Sequence, residues 1–357
     1  MTMNRRTFAK LSGAALASAA LARPSLAKDA LRTVRWGISV TSMNVSVVNS
    51  IIAEGLGYNA EEGFKLEPVM LGTNSNVQIA LDKGNVDFGV GTGPFQLPLF
   101  AKDQLPPIAN FYEWCYPYRW DIAVLPDSPV KTYQDLKGKK IGVSALGTTD
   151  YPIARAALTN VGVDPDKDVS WIATGAGVPA GVALQRGTID ALAYFDTGFG
   201  QVEAAGIPIR ILPRPEKTPM IGGLYVSANR DFIDKNRALA VSFGRSIARA
   251  SEFILANPTA GAKVFLKMYP ELAPRGVSEA DAVQTLLYPI KRRMEHFRAP
   301  YPDTPMGFIH GDELEREAAF LGLTIPPVAS IVRTDLIGDI SKFDVEAVKR
   351  QAAAYPV

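Results

Sequence analysis

Short apolar runs alternate with amphipathic stretches through the first two thirds of the chain. Four predicted elements show this alternation: strands over residues 34–40 and 140–144, and helices over residues 44–56 and 150–161. The first helix carries an apolar stripe of Val48, Ile51 and Ile52, and Gly162 is placed to end the second. Strands that alternate with helices are typical of parallel sheets covered by helices. The pattern therefore predicts an α/β fold.

One segment of the chain is repeated. Residues 72–87 align without a gap with residues 175–190, an offset of 103 positions. The identical pairs are Gly72 with Gly175, Ala80 with Ala183, Leu81 with Leu184, Gly84 with Gly187 and Asp87 with Asp190. The strands predicted around these helices cover residues 65–71, 86–90, 169–173 and 189–195. Because β-α-β units favour a parallel sheet, the repeat predicts two similar lobes in series, mainly parallel and flanked by helices. A chance likeness between two ordinary α/β units is the alternative.

Beyond Gly222 the pattern becomes helical. Helices are predicted over residues 231–256, 258–268, 278–287, 311–321 and 344–354. Residues 226–228 are expected to form a strand that returns to the first lobe, on which the helical section should pack. The predicted division is residues 28–120 plus 222–357 for lobe 1 and residues 121–221 for lobe 2, with crossings near residues 119–124 and 212–222.

The first 27 residues have the features of an export signal. The paired Arg5 and Arg6 are typical of twin-arginine signals, and an alanine-rich apolar stretch follows over residues 11–22. Ser25 and Ala27 supply the small residues that signal peptidase accepts. An ordinary secretory signal and a retained amphipathic helix are the alternatives. We expect a periplasmic protein without a lipid anchor, because no cysteine follows the apolar stretch.

Composition and charge exclude several kinds of function. The chain of 357 residues is 47% hydrophobic and 21% charged, as globular proteins are. Of its 38 basic side chains four lie in residues 1–27, so the exported chain carries 34 against 36 acidic ones. This balance lacks the basic excess that nucleic-acid binding needs. With Cys115 as the one cysteine and His296 and His310 as the histidines, an internal disulfide and a zinc–cysteine site are excluded, and we expect neither metal nor cofactor.

Ligands of open parallel sheets bind at the carboxyl ends of the strands, where helices begin. The predicted loops at these ends are rich in Gly, Thr, Ser and Asn, and helix N–H groups assisted by hydroxyl groups can hold an anion. The candidate ligand-binding residues are Thr41, Ser42, Asn74, Ser75, Thr92, Phe95, Trp114, Gly147, Thr148, Thr149, Gly177, Phe195 and Asp196. The polar residues can instead be helix caps alone, and the aromatic ones core or hinge packing.

Four segments of the sequence resemble one family of transport proteins. They are residues 133–143 (YQDLKGKKIGV), residues 147–151 (GTTDY), residues 184–191 (LQRGTIDA) and the pair Phe195 and Asp196. These segments are similar to those of periplasmic ABC-transporter substrate-binding proteins, in the group that captures nitrate, alkanesulfonates, taurine and thiamine-precursor pyrimidines. The resemblance implies a type II-like two-lobed fold that closes on a small molecule, with a permease and an ATPase as partners. Phe195 replaces the usual Trp and Thr197 the usual Pro, so no single specificity carries over.

The sequence is compatible with several functions. We expect a monomeric binding protein, not an enzyme, for an organic sulfonate, a taurine-like zwitterion or a small carboxylate. A pyrimidine-type thiamine precursor is the second expectation, and an inorganic oxyanion is the last. Residues 175–180 also match a GxGxxA fingerprint, with Asp196 as the ribose-binding acid, so an exported NAD(P)-dependent oxidoreductase is an alternative. A periplasmic sensor with the same fold is another.

The loop after the strand at residues 140–144 supplies the most specific expectation. Thr148 and Thr149, with the N–H groups of the next helix, are predicted to hold the polar head of the ligand, and Asp150 to point sideways as a cap. Arg119 either pairs with an anionic ligand or forms a salt bridge between the lobes. Asp196 either receives a ligand ammonium or accepts backbone N–H groups.

Overall fold

The computed structural model describes residues 31–117, 119–216, 218–298, 301 and 303–356. Within these residues the chain forms ten strands: β1 Arg32–Ile38, β2 Phe64–Met70, β3 Phe88–Thr92, β4 Ile108–Cys115, β5 Trp120–Val124, β6 Lys140–Val143, β7 Ser170–Ala173, β8 Ala191–Phe195, β9 Arg210–Ile211 and β10 Leu224–Asn229. Fourteen α-helices accompany them: α1 Val48–Gly55, α2 Tyr58–Glu61, α3 Asn74–Asp82, α4 Gly93–Ala101, α5 Asp150–Thr159, α6 Val178–Gln185, α7 Asp196–Ala204, α8 Arg230–Lys235, α9 Arg237–Ala256, α10 Pro258–Met268, α11 Glu279–Met294, α12 Gly311–Phe320, α13 Ile337–Ile340 and α14 Val345–Ala354. None of these helices is long and apolar enough to cross a membrane. The predicted export signal, residues 1–27, lies outside the described residues.

The strands form two five-stranded sheets with the same arrangement. The order is β2-β1-β3-β10-β4 in the first sheet and β7-β6-β8-β5-β9 in the second. In each sheet the first three strands are parallel and the fourth is antiparallel to its neighbours. Helices connect and cover the strands of both sheets. The predicted α/β fold with two lobes is therefore confirmed.

The sequence repeat corresponds to one backbone unit in each lobe. Gly72 and Gly175 have φ angles of 79° and 80°, and Gly84 and Gly187 have φ angles of 67° and 69°. All four lie in the left-handed region, which glycine adopts without steric cost. The repeated units are β2-α3-β3 and β7-α6-β8, which occupy equivalent positions in the two sheets.

The aspartates that end the two copies of the repeat each join neighbouring strands of one sheet. Asp87 Oδ2 accepts a hydrogen bond from the N–H of Arg35 at 2.8 Å, and Asp190 Oδ2 accepts one from the N–H of Lys140 at 2.8 Å. Each carboxylate thus binds the backbone of the neighbouring central strand, β1 or β6. This shared contact explains why both copies of the repeat have an aspartate at the same position.

Two segments cross between the sheets. One joins β4 to β5 and the other joins β9 to β10. The sequence predicts the first crossing near residues 119–124, but residues 120–124 form β5, because Trp120 pairs with Phe195 of β8 and its side chain is buried. Trp120 therefore begins the second sheet instead of ending the first lobe.

The C-terminal helices contact both lobes. α9 packs against α1 in the core of the first lobe, where the rings of Phe243 and Phe88 stack with centroids 4.5 Å apart. α11 packs against α10 of the same section and also against α7, which follows β8 of the second sheet. The helices approach closely because Gly200 of α7 faces Pro289 of α11. The expected packing on lobe 1 therefore describes α9, whereas α11 contacts both lobes.

Candidate ligand-binding site between the lobes

The two lobes touch where a helix of each begins. Thr149, which precedes α5, donates a hydrogen bond from Oγ1 to Oδ1 of Asn74, the first residue of α3, at 3.3 Å. Gly147 faces the methyl group of Thr73: a Cβ placed at this glycine would lie 3.9 Å from that methyl carbon. These loops follow β2 and β6, so the carboxyl ends of strands from both sheets face each other. This is the place where open α/β sheets bind ligands.

A cavity of about 560 Å³ lies between the lobes. The loops after β1 and β7, the end of β8, α7 and α11 bound it. Ser42, Gly177 and Phe195 line it, as do Asn44 and Gln201, which the sequence does not single out. The volume is in the range of pockets that hold small organic molecules. This cavity is the candidate ligand-binding site.

Several of the predicted residues are not part of the cavity wall. Four of them are Thr41, Ser75, Thr92 and Phe95. Trp114 is 1% exposed and packs edge-on against Trp36 in the core, with ring centroids 6.2 Å apart. All eight residues of β4 are buried, so Trp114 has no open face toward a ligand.

The threonine that precedes Thr149 has a local partner. Thr148 Oγ1 donates to the carbonyl oxygen of Ala145 at 2.6 Å and accepts the N–H of the same residue at 3.0 Å. Asp150 Oδ2 accepts the N–H of Ser144 at 2.6 Å, so its carboxylate points sideways into the loop. Burial raises the pKa of Asp150, although these hydrogen bonds oppose the rise. The Thr148 hydroxyl thus stabilises its own turn.

Asp196 belongs to a buried cluster of charges. Arg293 donates from Nε at 2.6 Å and from Nη2 at 2.9 Å to its two carboxylate oxygens, and Arg119 Nη1 lies 3.6 Å from Oδ1. Burial by itself would raise the pKa of Asp196, but the positive charges of Arg293 and Arg119 outweigh it and hold that pKa below its usual value. Among the described residues the carboxylate therefore pairs with guanidinium groups and not with a set of backbone N–H groups, and Arg293 engages both of its oxygens.

Arg293 is a further residue to which no sequence pattern points. It lies near the end of α11, whereas the sequence predicts that this helix ends at residue 287. Pro289 lies inside the helix, and prolines usually interrupt helices. Arg293 also donates from Nη1 to the carbonyl oxygen of Ser46 at 2.7 Å, which connects α11 to the first lobe. No local pattern could pair Arg293 with Asp196, because they lie 97 positions apart in the chain.

Metal and dinucleotide chemistry receive no support from the site. In the part of the chain that the structure describes, no group of three His, Cys, Asp or Glu side chains could hold a metal ion. The glycine-rich residues 175–180 follow β7, which is an edge strand, whereas the classic dinucleotide fingerprint follows a central one. The N–H of Gly177 donates to the hydroxyl group of Tyr194 and is therefore already engaged.

Comparison with known protein sequences identifies a family. Residues 44–261, which are 218 of the 357 residues, match the NMT1/THI5-like family. A Brucella abortus protein that bears the name of a binding protein is 28% identical over 228 residues, which cover 63% of this chain and 59% of the relative. An ATP phosphoribosyltransferase of Desulfatibacillum aliphaticivorans is 43% identical over 67 residues, which cover 19% of this chain and 21% of that enzyme. The chain thus spans less than two thirds of the length of both relatives.

Solved structures share the fold. The periplasmic aliphatic sulphonate binding protein SsuA of Escherichia coli has a TM-score of 0.59 at 18% identity, with 82% of this chain and 91% of that one covered. The periplasmic nitrate-binding protein NrtA of Synechocystis PCC 6803 has a TM-score of 0.61 at 14% identity, with 92% and 99% covered. Identities this low establish the fold alone. The chain therefore belongs to the NMT1/THI5-like family and has the two-lobed fold of periplasmic binding proteins.

Proposed function

We propose that this protein is the solute-binding component of an ABC importer and that it captures a small organic anion or zwitterion between its lobes. The observation that carries the proposal is the contact of Thr149 with Asn74, where helices of the two lobes begin. The cavity lies between the same two lobes. A contact of this kind exists only while the lobes are together, so a ligand that bridges them shifts the population toward the closed form.

The solved neighbours support a role in transport. SsuA and NrtA are periplasmic binding proteins, for aliphatic sulphonates and for nitrate respectively. By extension we place this protein in the periplasm as a monomer that acts with a permease and an ATPase, without catalytic activity of its own. The closed, ligand-loaded form is the one that the permease would recognise.

The cavity wall favours a ligand with an organic body. Phe195 contributes a ring and Val45 and Pro289 contribute apolar surface, while Ser42 and Asn44 add polar groups. An inorganic ion would leave most of the 560 Å³ unfilled and would gain nothing from the ring. Organic sulfonates and small carboxylates therefore come first, pyrimidine-type thiamine precursors second and inorganic oxyanions last.

Two measurements on the purified protein test the proposal. Native mass spectrometry of freshly purified protein should detect a retained small molecule. A thermal-shift panel of 1-propanesulfonate, taurine, a small carboxylate, an aminopyrimidine and nitrate should then identify its class, since a ligand at about 100 times its Kd stabilises the folded state by ~2.7 kcal/mol. If nitrate alone shifts the melting curve, the expectation that the ligand has an organic body is wrong. If nothing is retained and no compound shifts the curve, the proposed function is wrong.

Small-angle X-ray scattering tests lobe closure separately. The radius of gyration should decrease when the compound selected by the panel is added at saturation, because hinge closure brings the lobes together. A scattering curve that the bound compound leaves unchanged would count against closure.

A further inference from the structure

Arg119 is a buried cation that its surroundings neutralise only in part. Its side chain is 11% exposed, and the guanidinium lies 4.0 Å from the centre of the Trp120 ring. Its ion-pair contact with Asp196 is 3.6 Å long, beyond ordinary hydrogen-bond distance. Within the described residues its buried Nε has no hydrogen-bond partner. The group therefore keeps hydrogen-bond donors that the fold does not use.

The reason for this weak pairing is Arg293. Arg293 binds both oxygens of Asp196 and donates its remaining Nη group to the carbonyl oxygen of Ser46. One carboxylate thus faces two guanidinium groups, and Arg293 holds it in the stronger, bidentate geometry. Arg119 is left as the excess positive charge of this cluster.

Other ionisable groups near the cluster do not supply the missing negative charge. Asp121 pairs with Arg214 at 2.7 Å. Burial raises the pKa of Asp150, which disfavours its ionised form. Burial lowers the pKa of His296 to about 4, so its imidazole is neutral at pH 7.

Arg119 lies close to a residue of the cavity wall. Phe195 lines the cavity, and its ring centre is 6.0 Å from the guanidinium carbon of Arg119. The described residues of the cavity wall include no charged side chain. Burial, together with the charge of Arg293, lowers the pKa of Arg119 to about 10, so the side chain is charged at pH 7 in surroundings that disfavour its charge. An anion in the cavity would offset that cost.

We propose that Arg119 sets the charge of the ligand, and that the cavity takes a sulfonate or carboxylate that carries no ammonium group. Arg119 is not part of the cavity wall, so it acts on the ligand through its charge and not by direct hydrogen bonds. Asp196 is the acid that an ammonium group would need, and Arg293 already binds both of its oxygens. The inference rests on the proposed function and narrows its ligand class from anion or zwitterion to anion.

Three matched probes test the inference: 1-propanesulfonate, 3-aminopropanesulfonate and propane-1-sulfonamide. They share one carbon chain and differ in charge. Isothermal titration calorimetry at constant ionic strength should show that the wild type binds propanesulfonate at least about tenfold more tightly than the other two. Arg119→Gln should weaken propanesulfonate binding by about tenfold or more and remove the preference. Arg119→Lys keeps the charge and should keep the preference.

Arg210→Gln is the matched control. Among the described residues the Nε of Arg210 has no hydrogen-bond partner, as in Arg119, but its Nη2 donates to the carbonyl oxygens of Ser128 and Val130 in the second lobe. This variant should keep the preference. The inference is overturned if the wild type binds the three probes equally, if the preference survives in Arg119→Gln, or if it is lost in Arg119→Lys. None of these outcomes overturns the proposed function. Should Arg119→Gln fail to fold, the wild-type and Arg119→Lys results decide alone. A wild type that binds none of the probes and no compound of the panel overturns the proposed function, and the inference with it.

Discussion

Thr148 and Thr149 follow each other in the chain, yet their hydroxyl groups have different partners. Thr148 bonds within its turn to Ala145, whereas Thr149 reaches Asn74 of the other lobe. Because the bond of Thr149 exists only while the lobes are together, its loss should weaken the ligand-bound, closed form. We expect Thr149→Val to lower ligand affinity by about 0.5–1.5 kcal/mol, roughly 2- to 12-fold, in calorimetry with the compound that the thermal-shift panel selects.

Thr148→Val is the control for that measurement. It removes the bonds to Ala145, so it should lower the free energy of unfolding and leave ligand affinity unchanged. The sequence alone predicts that both threonines hold the ligand, and that replacing both by alanine costs about 1–3 kcal/mol in binding. A loss of affinity in Thr148→Val with none in Thr149→Val would contradict the division of roles drawn from the structure.

At the scale of elements, the contact between α7 and α11 depends on a residue without a side chain. A Cβ at Gly200 would lie 2.4 Å from Cα of Pro289 and 2.6 Å from its nitrogen. Backbone atoms cannot turn aside as a side-chain tip can, so α11 would have to move and would strain the buried pair of Arg293 and Asp196. We expect Gly200→Ala to lower the free energy of unfolding by about 2–3 kcal/mol in urea denaturation.

Gly338→Ala is the matched control on another helix. Gly338 is an exposed residue of α13, and a Cβ there would meet no atom within 4 Å. Its replacement should leave stability unchanged or raise it slightly, because alanine favours helix. Equal stabilities of Gly200→Ala and the wild type would show that the contact between the two helices is looser than the structure has it.

At the scale of the whole molecule, three buried carboxyl groups lie where α12 meets the first sheet. Glu113 of β4 faces Glu313 and Glu317 of α12. Burial raises the pKa of Glu313 to about 7 and that of Glu317 to about 8. Burial and the charge of Glu313 also raise the pKa of Glu113. The folded protein therefore holds these groups protonated at a pH at which the unfolded chain ionises them.

These shifts predict how stability depends on pH. A carboxyl group whose pKa is raised by folding stabilises the folded state below its unfolded pKa, and this contribution is lost as pH rises through the folded pKa. His296, with its pKa lowered to about 4, has the opposite effect below pH 6.5, so the carboxyl effect is clearest above that pH. We expect the free energy of unfolding to fall by about 2 kcal/mol between pH 6.5 and 8 in urea denaturation.

Two variants on one helix identify the source of that slope. Glu317→Gln removes a buried ionisable group and should flatten the curve. Glu315→Gln changes an exposed residue of α12 and should leave the slope as in the wild type. A wild-type stability that stays constant or rises between pH 6.5 and 8 would contradict the protonated state of the cluster.

The sequence by itself determined the features that depend on neighbouring residues. The repeat predicts two similar units, because Gly84 and Gly187 need a left-handed backbone and Asp87 and Asp190 bind the backbone of the adjacent strand. The apolar runs predict most strands within a few residues, and α10 was predicted with the bounds that it has. The division into two lobes follows from the same local patterns, since β-α-β units specify the sheet that they form.

The tertiary structure alone decided which side chains meet between the lobes. Trp114 could not be placed from its strand, because β4 is buried along its whole length and an alternating pattern needs one exposed face. The role of Asp196 depends on Arg293, which lies 97 positions away on a helix that continues past Pro289. Contacts between distant segments depend on how whole helices pack, and a local pattern carries no information about that packing.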